Sequence, residues 1–152
     1  MQLITTLNDK LTPLLAAANK YLAPLALLAA RLFVANDFFK SGWLKFSYVR
    51  NDDLDSLYFL FEDYHVPLLS VKAAAWMGMM GELGLSTLLA IGLFARFGAA
   101  GLIVMSAIIY NTDMNMVAPF WALICLMVVA QGPGKISLDA FIWKRFNKPS
   151  MA

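Results

Sequence analysis

RLFVANDFFKSGWLKF, residues 31–46, sets Arg31, Asp37, Lys40 and Lys45 inside a run that otherwise reads as one apolar helix. A helix that stopped at those charges would be a short surface element. One that continues through them is a bilayer span with charge held inside it. Taken with the apolar residues from Tyr21 onward, the run is long enough to be a span ending near Leu44. About 20 residues at roughly 1.5 Å each match a hydrocarbon core of about 30 Å.

The rest of the chain supports the membrane reading. Of its 152 residues 61% are hydrophobic and 14% charged, with mean hydropathy +0.66. Soluble domains are nearer half apolar and about a quarter charged. One domain, residues 1–152, accounts for the length. Further spans are expected over about 73–94, 97–112 and 119–131, the last starting at a proline tolerated in a first helical turn. The expected architecture is an all-α integral membrane four-helix bundle, with no internal repeat. A net charge of +2 gives no footprint for nucleic acid.

Four spans place both termini and the 2–3 loop on one side. That side carries Lys10, Lys20, Arg96, Lys135, Lys144, Arg145 and Lys148, against Lys40, Lys45, Arg50 and Lys72 on the other. The positive-inside rule then puts both termini in the cytoplasm. The N-terminal stretch lacks a basic region ahead of an apolar core, so it does not read as a cleavable signal. Leu3, Leu7 and Leu11 recur at helical spacing, which suits a surface-lying segment. In the 1–2 loop, Leu54, Leu57, Tyr58 and Phe61 form one helical stripe behind Asp52, Asp53 and Asp55, a second interfacial helix. After the Gly132-Pro133-Gly134 break, Ser137 can cap a third, with Leu138, Phe141 and Ile142 toward lipid and Lys144, Arg145 and Lys148 at headgroups.

Ionisable residues inside a bilayer cost about 2.5–3.5 kcal/mol each on insertion scales and mark functional candidates. Arg31 and Glu82 are the clear cases. Counted at about 1.5 Å per residue from the inner ends of their spans, Arg31 lies about 15 Å deep and Glu82 about 18 Å. The expectation is therefore an Arg31–Glu82 ion pair, which either does chemistry or locks helix register. Arg31, Ala35, Phe38, Gly42 and Lys45 share a helical face. Asp37 and Lys40 fall elsewhere, as a local i, i+3 pair near the outer end. Gly78 and Gly81 bring the Glu82 face close to a neighbouring helix. Tyr110, Asn111 and Asp113 either cap the third span or line a polar vestibule with Lys45.

Cysteine and histidine exclude more than they suggest. Cys125 is alone in an apolar run and reads as a small buried hydrophobe; no disulfide can form within the chain. Nine methionines raise a copper(I) site, with Met77, Met79, Met80, Met114 and Met116 clustered. Methionine is also a common filler of apolar helices, and His65 is the one imidazole, so no metal site is assigned. A bis-histidine haem within one chain is excluded.

Three motifs in order carry a resemblance: Arg31-x10-Gly42-x2-Lys45, Glu82 within GELGLSTLLAIGLFARFGAAGL, and the later GPGKISLD. Over roughly residues 25–142 they resemble the DoxX family of small four-span membrane proteins. FEDYHVPLL with the Glu82 span looks closest to a subgroup encoded beside maturation proteins for copper-binding, ribosomally made peptides of the bufferin type. Members of that subgroup often carry a histidine just before the tryptophan of span four, where this chain has Phe120. The resemblance implies a bacterial inner-membrane location and relatives associated with quinol oxidase and thiosulfate:quinone oxidoreductase.

Two functions follow as expectations. In one, the chain is an accessory subunit of a redox or quinone-linked membrane system, without an assigned activity of its own. Arg31 and Glu82 would then act on the quinone carbonyls, Gly42 and Lys45 would complete the site, and Phe38, Phe39, Trp43 and Trp76 would flank the ring. In the other, it is a non-enzymatic anchor or assembly factor for a copper-peptide maturation or stress-response complex. The partners expected are the lipid bilayer, membrane or soluble proteins, and a second copy of the chain. A solute permease is disfavoured, because neither a repeat nor a discontinuous helix pair is present.

Overall fold

The computed structural model describes residues 11–13, 15–62, 66 and 69–146. The expected surface segment at Leu3 and Leu7, and His65, lie outside them. Regular structure in the described residues is entirely helical. The elements are α1 (Ala23–Arg50), α2 (Leu54–Glu62), α3 (Val71–Ile91), α4 (Ala95–Asp113), α5 (Ala118–Gln131) and α6 (Leu138–Phe146).

α1 does not stop at its charges. It runs 28 residues, about 42 Å, and ends six residues beyond the expected boundary, at Arg50. Helix already precedes it from Leu11, through a π-helical turn at Ala18–Leu22. Pro24 explains that turn. Its ring cannot donate to the carbonyl four residues back and clashes with it, so the backbone widens just upstream. Leu11–Arg50, α3 and α4 are each long and apolar enough to cross a bilayer, whereas α5, at 14 residues, is shorter. With their exposed leucines, phenylalanines and methionines, these helices make the chain a multi-pass membrane protein.

α1 packs on α3, α3 on α4, α4 on α5, and α5 closes back on α1, giving the expected bundle. The two ends of that bundle differ. At one, called here the Arg31 end, Val34, Ala35, Leu89, Ala95, Ala99, Leu102, Cys125 and Val128 fill a dense core. Small residues at 95 and 99 let α4 lie close to its neighbours. Cys125 is fully buried there, as expected. At the other, the Lys45 end, α2 lies across α1 and α3. Its expected stripe does the packing: Leu57 and Phe61 are buried on Ala74 and Ala75, flanked by Leu54 and Tyr58. Asp53 caps α2 by accepting from Ser56 N at 3.2 Å.

The helix ends follow local chemistry. Ser70 Oγ accepts from Ala73 N to start α3. Gly92, at φ +72°, ends α3 in the left-handed conformation that glycine adopts most cheaply. The apolar Leu93 and Phe94 had concealed that end. α5 stops at Gln131, and Gly132 and Gly134 take φ of +83° and +85° around Pro133. Ser137 caps α6 as expected, its Oγ accepting from Ala140 N at 3.1 Å.

Candidate functional site

The two buried charges of the sequence do not meet. Gly42 on α1 lies opposite Glu82 on α3; a Cβ at position 42 would come within 3.0 Å of Glu82 Cβ and 2.9 Å of Leu83 Cγ. Arg31 is 11 residues earlier on α1, about 16 Å along the axis. Helical side chains lean toward the N-terminus, so Lys45 reaches back from above Gly42 to the carboxylate. Its ammonium donates to Glu82 Oε1 at 2.8 Å and Oε2 at 2.7 Å. This is the one salt bridge among the described residues, and its side chains are 12% and 5% exposed.

Arg31 instead serves the backbone at the opposite end. Nη1 donates to Pro133 O at 2.9 Å, and Nη2 to Ile136 O at 3.1 Å and Ala90 O at 3.5 Å. Those carbonyls are left free where α3 ends and where the Gly-Pro-Gly segment breaks the helix. Beside them, the Asp139 carboxylate accepts from Phe94 N at 2.9 Å and Ala95 N at 3.0 Å. Asp139 N in turn donates to Gly92 O at 2.9 Å. Arg31 and Asp139 thus clasp α1, the α3–α4 turn and the start of α6 together. The expected Arg31–Glu82 pair is therefore corrected. Depth was counted from the apolar start at Tyr21, but α3 ends level with Arg31, so the count for α1 began too early.

A cavity of about 470 Å³ opens toward the Lys45 end, between α1, α3, α4 and α5 and beneath α2. Ligand pockets of roughly 300–1,000 Å³ are usual. Its wall is mainly apolar, from Phe38, Phe61, Leu85, Met105 and Ile109, with Gly78 and Gly81 leaving room on α3. Polar groups enter at three places. Lys45, Glu82 and Ser41 form one, with Lys45 Nζ also donating to Ser41 Oγ at 2.8 Å. Asp37 forms another, accepting from Trp121 Nε1 at 3.1 Å. Thr112, Asp113 and Asn115 form the third, at the rim. Trp121 meets Phe38 edge-on, with ring centroids 5.1 Å apart.

Among the expected site residues, Lys45 and Glu82 line this cavity. Gly42 supports it from behind, through its contact with Glu82, and Arg31 is not part of it. Phe38 lines the cavity, but Phe39, Trp43 and Trp76 are 41%, 51% and 39% exposed and face outward. Asp37 does not pair with Lys40; it turns to the indole of Trp121. The residues missed were Asp37, Ser41 and Trp121. Their signal was available, since 37, 41 and 45 repeat at one-turn spacing along α1. Of the third-span polar residues, Asp113 lines the cavity rim, whereas Asn111 is exposed and donates back to Ala107 O at 2.7 Å.

A family model, DoxX, matches residues 26–113, more than half of the chain. The match takes in Arg31, Asp37, Gly42, Lys45 and Glu82 and ends with α4. No curated protein and no solved structure matches.

Proposed function

This chain belongs to the DoxX family of membrane proteins, and on that footing we propose that it is an accessory of a quinone-linked redox system that binds the quinone in the Lys45-end cavity. One observation carries the reading: an apolar chamber inside the bundle, walled by aromatic and aliphatic groups, gathers its polar groups into Lys45–Glu82–Ser41, Asp37–Trp121 and the rim residues Thr112, Asp113 and Asn115. That pattern suits an amphipathic ring with oxygen substituents and an apolar tail.

The residues present fit such a group. Phe38, Trp121 and Phe61 offer ring faces and edges. The Lys45–Glu82 pair keeps its charges compensated within an apolar wall, where an isolated charge would be expelled. A bound quinone would supply reversible two-electron chemistry to a partner enzyme. The chain's own contribution is to bind, orient and shield the ring from water. The bundle lies in a bacterial inner membrane with both termini cytoplasmic, so the cavity faces the outer half of the bilayer.

The test is extraction of quinone from the purified protein. About one quinone per chain in wild type, and a large loss in Glu82→Gln with the fold retained, supports the reading. Wild type that purifies without quinone and does not take it up from vesicles overturns it.

A second reading draws on the pair itself. The three N–H donors of Lys45 are all taken by Ser41 and Glu82, which suits a helix lock in a non-enzymatic anchor or assembly factor, including one for copper-peptide maturation. Under that reading Glu82→Gln weakens the fold and a partner's assembly, and quinone is absent throughout.

A further inference from the structure

Asp37, Ser41 and Lys45 stand one turn apart along the cavity face of α1, and the hydrogen-bond inventory of that stripe is lopsided. An ammonium has three donors, an indole one, and an ionised carboxylate none but about four acceptor sites. Lys45 spends its three on Ser41 Oγ and both oxygens of Glu82. Trp121 spends its single N–H on Asp37 Oδ2. Thr112 donates back to Ile108 O at 3.0 Å.

What remains is mostly acceptor. Asp37 Oδ2 is engaged by Trp121, and no described donor meets Asp37 Oδ1. No described cation pairs with the Asp37 carboxylate. Asp113 adds a second carboxylate at the rim. Among the lining side chains described, the donors still uncommitted are the Ser41 hydroxyl, beside Lys45, and the amide Nδ2 of Asn115, in the turn after α4.

Resting on the quinone reading above, we infer that the cavity selects the reduced, hydroxyl-bearing form of the ring over the oxidised form, with Asp37 as the residue that distinguishes them. A hydroquinone hydroxyl can donate to Asp37 Oδ1, a charge-assisted bond of the stronger kind. A quinone carbonyl in the same place brings lone pairs against lone pairs, or must take an N–H from Lys45 and leave Glu82 short. Sites built to pair with a substrate hydroxyl reject the analogue lacking it, because their own buried groups are then unpaired.

The experiment uses the full chain in detergent or lipid nanodiscs with decylubiquinone and its reduced form. Binding of each is measured directly, and the midpoint potential of the bound couple is compared with that of the free couple. The reduced form should bind about tenfold more tightly or better, raising the bound midpoint by about 30 mV for each tenfold of preference. In Asp37→Asn the amide keeps an acceptor for Trp121 and gains N–H donors, so both forms should bind with the preference near parity. Equal affinities in wild type, tighter binding of the oxidised form, or an unchanged preference in Asp37→Asn overturns the inference alone. If neither form binds, the quinone reading falls and the inference falls with it.

Discussion

Lys45 of α1 closes on both carboxylate oxygens of Glu82 of α3, at 2.8 and 2.7 Å. The contact joins the two helices opposite Gly42, where the missing side chain lets α1 and α3 approach. It also forms the polar end of the cavity, so packing and site share one feature. Removing one partner of a buried pair leaves an uncompensated charge and costs roughly 3–5 kcal/mol. Lys45→Met and Glu82→Met should each destabilise the bundle by about that amount. The double substitution should recover most of the loss. Reversible unfolding in mixed micelles checks this, and additive losses in the double variant would count against it.

The clasp at the other end makes a separate prediction. A Cβ at Gly92 would lie 2.5 Å from Arg31 Nη1 and 2.6 Å from Ser137 Cβ, on a backbone at φ +72°. Gly92→Ala should therefore cost about 1–2 kcal/mol for the left-handed conformation alone, and more for the clash. Arg31→Lys should also destabilise, because one ammonium cannot span the carbonyls of Ala90, Pro133 and Ile136. Folded protein of either variant should keep wild-type quinone affinity, measured by titration. A selective loss of affinity in Arg31→Lys would return Arg31 to the site.

Trp121→Phe keeps the apolar contact with Phe38 and deletes the bond to Asp37. Leaving a fully buried acceptor unpaired costs about 1–3 kcal/mol, and Asp37, which is half-buried, should lose the lower part of that range. The expected result is a drop in stability of that size that Asp37→Asn largely reverses in the double variant, since a neutral amide costs less than a carboxylate when left without a protein partner. Unfolding of the two single variants and the double variant measures the coupling.

Gly81 lines the cavity, and a Cβ there would come closest to the Met105 side chain, 3.2 Å from its sulfur, with Leu85 Cδ1 at 4.0 Å. Methionine is flexible, so Gly81→Leu should fold with a modest loss while filling the chamber. Quinone affinity should fall at least tenfold. Undiminished binding would place the ligand elsewhere.

The elements were largely legible because their signals are local. Periodicity in Leu54–Phe61, the cap at Ser137 and the Gly-Pro-Gly break each act within a turn or two, and each is where expected. Boundaries failed where a glycine end was followed by apolar residues, as at Gly92-Leu93-Phe94. They also failed where charge was taken for the membrane edge, as at Lys45. The pairing of Arg31 failed for a different reason. Its partners are backbone carbonyls, which no residue type announces, although a broken helix always leaves some free. Asp37 was assigned to Lys40 because sequence spacing allowed it. The tryptophan that takes it lies on α5, 84 residues on, and only the fold brings them together.

The cavity as a quinone site is tested most directly by photolabelling. An azido-quinone is illuminated with the protein in vesicles, and the labelled residues are mapped by mass spectrometry. Label concentrated on cavity residues of α1, α3 and α4, such as Phe38, Met105 and Ile109, and displaced by excess decylubiquinone, is the predicted result. Label confined to outward-facing residues such as Trp43 and Leu123, unaffected by the competitor, would contradict it.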